Sequence, residues 1–254
     1  MTPQRTYRKI GCIIQARTGS TRLPNKVLLP IYGKPMILRV IDRTLESKLV
    51  DEIIVATTTN PNDTKIVELV QSYNPKVKVF RGSEEDVLDR YYQAAKELNI
   101  DILVRVTGDC PLLDPDVIDS VITKYLADPS LDFVSTVIGK HTYPRGVDIE
   151  AISFSVLKQL WETTTETVDR EHVTIHIKRF PENFVWASVE SDKDYSSFRW
   201  TVDEQADYEL VNILYQRLFP QNPHFRMKDV VNLYKEDPAL RTINQHVEQK
   251  NSKY

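Results

Sequence analysis

Short apolar, β-branched runs alternate with amphipathic stretches through the first half of the chain. Runs of this kind predict buried strands at residues 10–14, 53–57, 77–80 and 102–106. Helical spacing or helix-start residues follow each run and predict helices at residues 35–45, from 60, from 83 to about 98, and from 114. Strands joined through helices lie parallel, so the pattern predicts an α/β fold whose mostly parallel sheet is covered on both faces.

The alternation of short apolar runs with amphipathic stretches ends after residue 127. Strand candidates with longer, more polar connections lie at residues 132–137, 147–152, 184–189 and 198–202, and a final core helix is predicted at 204–218. We expect residues 250–254 to fray. With no clean linker in view, the sequence predicts one αβα domain over residues 1–254, with an accessory portion at about 138–190.

Composition excludes several classes of protein. Lys and Arg number 33 against 36 Asp and Glu, for a formal charge of −3, which argues against nucleic acid as the main partner. No stretch approaches the roughly 18 apolar residues of a membrane span, and the amino-terminal apolar stretch is too short for a secretion signal. Cys12 and Cys110 form neither a metal cluster nor a disulfide framework, which indicates a cytoplasmic protein.

A polar loop directly follows the first strand. It contains basic, hydroxyl-bearing and small residues: Arg17, Gly19, Ser20, Arg22 and Lys26. Ligands of parallel sheets bind beyond the carboxyl ends of the strands, and a polyphosphate needs accessible backbone N–H groups and fixed cations. The loop therefore predicts a phosphate site, with a basic surface loop as the alternative. It lacks the P-loop pattern GxxxxGK[ST].

The fourth predicted strand ends in a second unusual loop. Asp109 follows this strand on a Gly turn, where its carboxylate could hold Mg²⁺ or hydrogen-bond its own turn. Arg105 lies within the strand itself, and a buried arginine needs either an ion-pair partner or an anionic ligand. Both interpretations stay open for each residue.

A third group of carboxylates comes late in the chain. Asp203 is predicted to end a strand and to begin a helix, so it serves as an N-cap, a metal ligand or both, with Asp207 on the same helical face. His172 and His176 have i, i+4 spacing, but no third ligand accompanies them, and we do not predict a zinc site.

Residues 17–26, 107–112 and 201–204 together resemble the cytidylyltransferase family, which includes the CMP-Kdo and CMP-sialic-acid synthetases. Residues 80–90 and 104–111 are most similar to the branch named after the spore-coat polysaccharide protein SpsF, and the resemblance covers roughly residues 9–218. It implies a Rossmann-like αβα sandwich of the nucleotide-diphospho-sugar transferase type.

The resemblance also implies a reaction and its residues. CMP would pass from CTP to a small acidic acceptor by in-line attack on the α-phosphorus, with Mg²⁺ as the cofactor and pyrophosphate as the leaving group. The implied catalytic residues are Arg22, Lys26, Asp109 and Asp203, and the last two would hold the metal. The implied nucleotide-binding residues are Gln15, Ala16, Arg17, Gly19, Ser20, Arg22, Lys26, Arg81, Ser83, Thr107 and Gly108.

The acceptor is defined less closely than the nucleotide. Candidate acceptor-binding residues are Arg105, Arg145, Arg170 and His172. The segment 168–180, with Val168 and Ile175 on its apolar face, is predicted to pack against its counterpart in a homodimer. The alternatives are a nucleoside-diphosphate-sugar pyrophosphorylase and a GT-A-like glycosyltransferase. For the second, Asp114-Pro-Asp116 fits a helix start better than a metal-binding pair.

Overall fold

A twisted, mostly parallel sheet lies at the centre of the computed structural model, which describes residues 8–248. Seven strands of the described residues form it: β1 (Ile10–Gln15), β4 (Glu52–Thr58), β5 (Lys78–Gly82), β6 (Ile102–Thr107), β7 (Phe133–Ser135), β8 (Glu150–Ser153) and β9 (Trp186–Ser188). Their order is β5-β4-β1-β6-β8-β7-β9, and β8 runs antiparallel to both of its neighbours. The short strands β2 (Pro30–Ile31) and β3 (Lys34–Pro35) form a separate hairpin. The predicted fraying of residues 250–254 lies outside the described residues.

Helices cover both faces of this sheet. They are α1 (Met36–Leu45), α2 (Thr64–Tyr73), α3 (Val87–Glu97), α4 (Pro115–Ala127), α5 (Phe154–Thr163), α6 (Thr167–His172), α7 (Ile175–Arg179), α8 (Gln205–Leu218) and α9 (Met227–Glu236). Among residues 8–248, none of the helices is both long and apolar enough to cross a membrane.

Alternation of side chains along the strands divides the core into two layers. Ile14 of β1 points into a layer with α1, α2, α4, α8 and α9, whereas Ile13 points into a layer with α3 and α5. Both side chains are fully buried. The predicted parallel α/β sandwich is confirmed, because burial on both faces explains the nearly continuous apolar runs of β1, β4 and β6.

The structure corrects four local predictions in the described residues. The helix predicted from Ser83 begins at Val87 with Asp86 as its N-cap, because the Asp86 carboxylate accepts from the backbone N–H of Asp89. The helix predicted to be last is followed by α9, which buries Val230 and Leu233. Residues 198–202 form no strand, and a single bridge joins Arg199 to Arg145. Residues 147–149 precede β8 rather than belonging to it.

The predicted accessory portion contributes directly to the central sheet. β8 pairs with β6 on one side and with β7 on the other, and β9 adds a parallel edge strand beyond β7. The helices α5, α6 and α7 come from the same part of the chain. Residues 138–190 therefore supply side chains next to the carboxyl end of β6.

Candidate active site

A cleft opens where the carboxyl ends of β1 and β6 lie side by side. Gln15 and Thr107, the last residues of these two strands, are register partners. The first chamber of the cleft, about 390 Å³, lies along residues 15–26, and the second, about 790 Å³, extends over β6 and β8. Residues lining both chambers are Arg22, Thr107, Asp109, Glu171, His172 and Asp203.

A buried carboxylate fixes the loop that forms one wall of the first chamber. Asp63 Oδ1 accepts from the backbone N–H of Thr18 at 2.7 Å and from its hydroxyl at 2.6 Å, while Oδ2 accepts from the Thr58 hydroxyl. Burial acts to raise the pKa of Asp63, but these hydrogen bonds outweigh it and hold the pKa below its usual value. Sequence reasoning did not single out Asp63, because its asparagine-proline surroundings indicate only a helix start.

The anchored loop presents unpaired backbone donors. Ser20 N–H and Asn25 N–H both bond the Thr18 carbonyl, and Leu23 N–H bonds the Ser20 hydroxyl. Within residues 8–248, the backbone N–H groups of Gly19, Thr21 and Arg22 make no hydrogen bond. Adjacent unpaired N–H groups beside fixed cations suit a polyphosphate.

Lys26 lies between two carboxylates at the junction of the chambers. Its Nζ is 2.6 Å from Asp109 Oδ2, 2.8 Å from Asp203 Oδ1 and 3.0 Å from the Val202 carbonyl oxygen. Burial acts to lower the pKa of Lys26, but the two carboxylates outweigh it and raise the pKa. Burial acts to raise the pKa of Asp109, and the Lys26 ammonium outweighs it and lowers the pKa. Lys26 and Asp109 are therefore ionised near neutral pH.

Two arginines complete the surroundings of Asp203. Arg22 Nη2 lies 3.0 Å from Oδ1 and Arg199 Nη2 lies 2.9 Å from Oδ2. The predicted N-cap role of Asp203 is wrong: helix α8 is capped at Glu204, and Asp207 accepts from the backbone N–H groups of Asp203 and Glu204. Asp203 therefore directs its carboxylate into the cleft.

The donor set fits Mg²⁺. Mg²⁺ binds through one or two carboxylates and keeps phosphate oxygens and waters in its remaining positions. Asp109 and Asp203 provide two carboxylates on one cation, and the described residues contain no larger group of metal-ligating side chains. Without a divalent cation, Lys26 supplies the positive charge between them.

The structure brings most of the predicted nucleotide-binding residues to the first chamber. Those lining it are Gln15, Ala16, Arg17, Gly19, Ser20, Arg22, Lys26 and Thr107. Gly108 lies behind the wall, where an added Cβ would be 3.0 Å from the Gln15 carbonyl oxygen, so its predicted role becomes one of close packing.

Arg81 and Ser83 line neither chamber. The Arg81 guanidinium donates to the carbonyls of Thr58 and Asn60 at 2.9 Å each, which joins β5 to the end of β4. Ser83 accepts from the backbone N–H of Asp86 and so shapes the turn before α3. Both side chains make local contacts outside the two chambers, and their contact with the nucleotide stays a prediction.

Arg90 is a cleft residue that sequence reasoning missed. It is 2% exposed, lines the first chamber with Val87, and donates through Nη1 to the Ser83 carbonyl. Its Nε is buried and has no hydrogen-bond partner among residues 8–248. The available signal was an arginine on the apolar face of α3, beside Tyr91.

Arg145 lines the second chamber and has no side-chain partner within the described residues. Its backbone is fixed, since its N–H bonds the Phe198 carbonyl and its carbonyl accepts from Trp200 and Thr201. Gly146 permits this contact: its φ is +101°, and an added Cβ would lie 2.6 Å from the Thr201 nitrogen. A half-buried, unpaired guanidinium on a fixed backbone suits an anionic group.

Arg105 has partners of its own in the second chamber. Its Nη1 lies 2.9 Å from Glu150 Oε2, and Lys178 Nζ lies 2.5 Å from Glu150 Oε1. Burial acts to raise the pKa of Glu150, but the two cations outweigh it and lower the pKa to about 2. The structure thus shows the ion pair of Arg105, and its contact with an acceptor stays a prediction.

His172 lies at the boundary of both chambers, and Arg170 does not. His172 precedes Val173, whose φ of 57° and ψ of −65° form a strained γ-turn that is rare for a β-branched residue. Burial lowers the pKa of His172, which keeps its ring neutral near pH 7. Arg170 instead donates to the carboxylate of Asp86 and the carbonyl of Trp161, so the structure does not bring it to the chambers, and its contact with an acceptor stays a prediction.

The segment predicted to form a dimer contact uses its apolar residues inside the chain. Ile175 and Ile177 are 4% and 0% exposed, and Val173 is fully buried. His176 and Arg179 both pair with the buried Asp169. Ile175 is therefore unavailable to a second copy, which corrects the predicted apolar face, whereas the homodimer itself stays a prediction.

Comparison with known sequences identifies relatives over nearly the whole chain. A family model described as cytidylyltransferase matches residues 11–250. The chain is 38% identical over 244 residues to the uncharacterized protein MJ1063 of Methanocaldococcus jannaschii, covering 95% of this chain and 97% of that protein. It is 29% identical over 239 residues to the spore coat polysaccharide biosynthesis protein SpsF of Bacillus subtilis, covering 91% and 95%.

Solved structures agree with the sequence relatives. A cytidylyltransferase from Leptospira borgpetersenii superposes with a TM-score of 0.89 at 33% identity, over 96% of this chain and 100% of that one. The fold is shared with a CMP:2-keto-3-deoxy-manno-octonic acid synthetase solved with CTP, at a TM-score of 0.65 and 23% identity over 82% and 99% of the chains. The chain belongs to the cytidylyltransferase family and is a CTP-dependent nucleotidyltransferase.

Proposed function

We propose that this protein transfers CMP from CTP to a small acidic sugar or related acceptor and releases pyrophosphate. One observation carries the proposal: two chambers meet at Asp109 and Asp203, with phosphate-type donors in one and the unpaired Arg145 in the other. In-line transfer requires the α-phosphorus to lie between the acceptor oxygen and the leaving pyrophosphate. A cleft with two chambers meeting at a charged junction meets that requirement.

In this proposal the first chamber holds the leaving group. The backbone N–H groups of Gly19, Thr21 and Arg22 would donate to the phosphates, and Lys26 and Arg22 would neutralise the charge that develops as the bond to pyrophosphate breaks. The Asp63 anchor fixes the backbone of Thr18, the residue that directly precedes Gly19. Donors on an anchored loop would need less reordering as charge develops in the transition state.

Asp109 and Asp203 are the residues that would hold Mg²⁺. The ion would supply Lewis-acid neutralisation of the phosphate oxygens. Lys26 pairs with both carboxylates and would contribute positive charge to the phosphates when CTP binds. Arg199 keeps the Asp203 carboxylate oriented toward the cleft through its Oδ2.

The second chamber would receive the acceptor. Arg145 is the cation there without an ion-pair partner in the described residues, whereas Arg105 and Lys178 are neutralised by Glu150. A carboxylate on the acceptor would pair with Arg145 and leave the attacking oxygen toward the junction. The neutral ring of His172, at the boundary, is available for a hydrogen bond to either substrate.

A pyrophosphate-release assay with each nucleoside triphosphate, Mg²⁺ and a panel of acceptors tests the proposal. The panel should contain keto sugar acids, other sugar acids, and phosphate and phosphonate compounds, together with neutral sugars as matched controls. We expect release with CTP and an acidic acceptor, and a product heavier than the acceptor by one CMP group. Release with UTP and a sugar 1-phosphate, and none with CTP, would instead indicate a nucleoside-diphosphate-sugar pyrophosphorylase.

Two further parts of the proposal concern assembly and location. We propose a homodimer, for which sedimentation at micromolar concentration is the test, and a monomer would contradict it. We also propose a cytoplasmic location, supported by the free, buried thiols of Cys12 and Cys110.

A further inference from the structure

Gln15 has an amide whose orientation is set by its neighbours rather than by the ligand. Its Oε1 accepts from Arg105 Nη2 at 3.2 Å and from the Tyr91 hydroxyl at 3.2 Å. A guanidinium can only donate hydrogen bonds, so the group facing Arg105 has to be the amide oxygen. The Nε2 of Gln15 is therefore turned away from Arg105.

The Nε2 group of Gln15 is the part of the amide that is free to contact a ligand in the cleft. Gln15 lines the first chamber, and its Nε2 has no hydrogen-bond partner among residues 8–248. This unpaired nitrogen is not buried, and we infer that it is accessible from the chamber. Val87 and Arg90 line the same chamber, as does the loop from Gly19 to Arg22 that carries the phosphate-type donors.

Arg105 itself is held firmly enough to impose this orientation. It is tied to Glu150, which is 1% exposed and also accepts from Thr174 at 2.7 Å. Tyr91 is fully buried, and burial raises the pKa of its hydroxyl, which stays a donor at neutral pH. Rotating the Gln15 amide would place its N–H₂ group against the Arg105 guanidinium, so that two donors would face each other and Arg105 Nη2 would lose the acceptor that it has in Gln15.

We propose that Gln15 Nε2 donates to N3 of the cytosine ring and so selects CTP over UTP, with Arg105 as the positioning residue. N3 of cytosine is a hydrogen-bond acceptor, whereas N3 of uracil carries a proton and is a donor. A fixed N–H₂ group therefore attracts the first base and opposes the second. This inference rests on the CTP-dependent function and gives Arg105 a role on the nucleotide rather than on the acceptor.

The experiment measures the dissociation constants of CTP and UTP with Mg²⁺ by titration calorimetry, without an acceptor. Gln15→Glu keeps an oxygen for Arg105 and Tyr91 and replaces only the donor, so the free oxygen can accept from N3–H of uracil. We expect the ratio of the two constants to shift toward UTP by about 10- to 100-fold. Gln159→Glu, an exposed residue of α5, makes the same change in charge away from the cleft and should leave the ratio unchanged.

Arg105→Lys tests the positioning role. Lysine retains a cation for Glu150 but lacks the planar fork that also reaches Gln15. We expect the ratio to fall toward one while the affinity for inorganic pyrophosphate, which uses the phosphate loop, stays the same. A purely structural role would weaken CTP and UTP equally and leave their ratio intact.

The outcomes separate this inference from the proposed function. A wild-type protein that binds CTP and UTP equally, or a Gln15→Glu variant with an unchanged ratio, would overturn the assignment of Gln15 and leave cytidylyl transfer standing. Equal weakening of CTP and UTP binding in Gln15→Glu would also overturn the assignment. It would indicate that Gln15 contacts the O2 carbonyl, which cytosine and uracil share, rather than N3. A wild-type protein that binds neither nucleotide would contradict the proposed function itself.

Discussion

Asp109 and Asp203 lie far apart in the chain, yet their carboxylates contact the same atom, Nζ of Lys26, at 2.6 and 2.8 Å. The backbone brings them together, since Val202 N–H bonds the Asp109 carbonyl at 2.8 Å. Two carboxylates this near a common point need a cation, or one of them takes up a proton. At the junction of the cleft, the ammonium of Lys26 is the cation that these two carboxylates share.

Asp203→Asn should lower turnover by about 100-fold, with a raised Mg²⁺ requirement, because it removes one charged ligand from the junction. Helix α8 keeps its cap at Glu204, so the variant should fold normally. Asp109→Asn should act in the same direction. Pyrophosphate release measured over a series of Mg²⁺ concentrations checks both variants.

Asp128→Asn is the matched control for these substitutions, because Asp128 is exposed and its carboxylate accepts hydrogen bonds from Ser130 at the surface. It should leave turnover unchanged. Full activity of Asp203→Asn at low Mg²⁺ would end the metal assignment for Asp203.

Lys26→Met should weaken binding of CTP with Mg²⁺ by about 1.5–3 kcal/mol, the size of a lost charge-assisted hydrogen bond. In the free variant, Asp109 loses the ammonium that lowers its pKa, so the pKa of Asp109 should rise. Titration calorimetry checks the affinity, and Lys124→Met, an exposed residue of α4, provides the control. An unchanged affinity would remove Lys26 from the phosphate site.

Glu150→Gln should lower the free energy of unfolding by about 3 kcal/mol near neutral pH, because Arg105 and Lys178 lose their buried counterion. The pKa of Glu150 is about 2 in the folded protein, below its ordinary 4.5. Its contribution to stability is therefore fully present above about pH 4.5 and is lost as the pH falls toward 2. Urea unfolding at about pH 7 and about pH 3 should show the difference between wild type and variant shrinking on acidification.

Glu162→Gln, an exposed residue paired with Lys158 on α5, gives the background for that comparison. Its effect should be small at both pH values, since exposed ion pairs contribute little to stability. If the effect of Glu150→Gln on the free energy of unfolding does not depend on pH, the pKa of Glu150 does not differ between the folded and the unfolded protein.

Arg145→Met should raise the KM of the acidic acceptor by about 10-fold or more, through the loss of one guanidinium–carboxylate contact. The KM of CTP should stay the same, because Arg145 does not line the first chamber. Initial rates with the acceptor identified in the release assay check this. Arg241→Met serves as the control, since Arg241 lies over the Phe198 ring outside both chambers; an equal effect of the two variants would argue against an acceptor contact.

The core of the fold could be predicted from the sequence because each of its strands and helices shows a pattern of apolar residues within its own segment. Apolar runs such as that ending at Ile14 report a strand buried on both faces, and the loop from Gln15 to Lys26 follows by its position. The contact of Lys26 with Asp203 could not be read from the residues, since it depends on how a distant segment packs. Arg170 shows the same limit. It lies two residues before His172 in the sequence, but its guanidinium donates to Asp86, the N-cap residue of α3.

The hydrogen bonds from Thr18 to Asp63 have a consequence for the rate and entropy of nucleotide capture. Because this buried carboxylate fixes Thr18 during folding, part of the loss of backbone freedom in the loop precedes the arrival of CTP. We therefore expect CTP to associate at a rate set more by the encounter of the two molecules than by ordering of the loop. Loosening Asp63 would transfer the ordering cost from folding to binding, so that CTP would bind more weakly through a side chain it never touches.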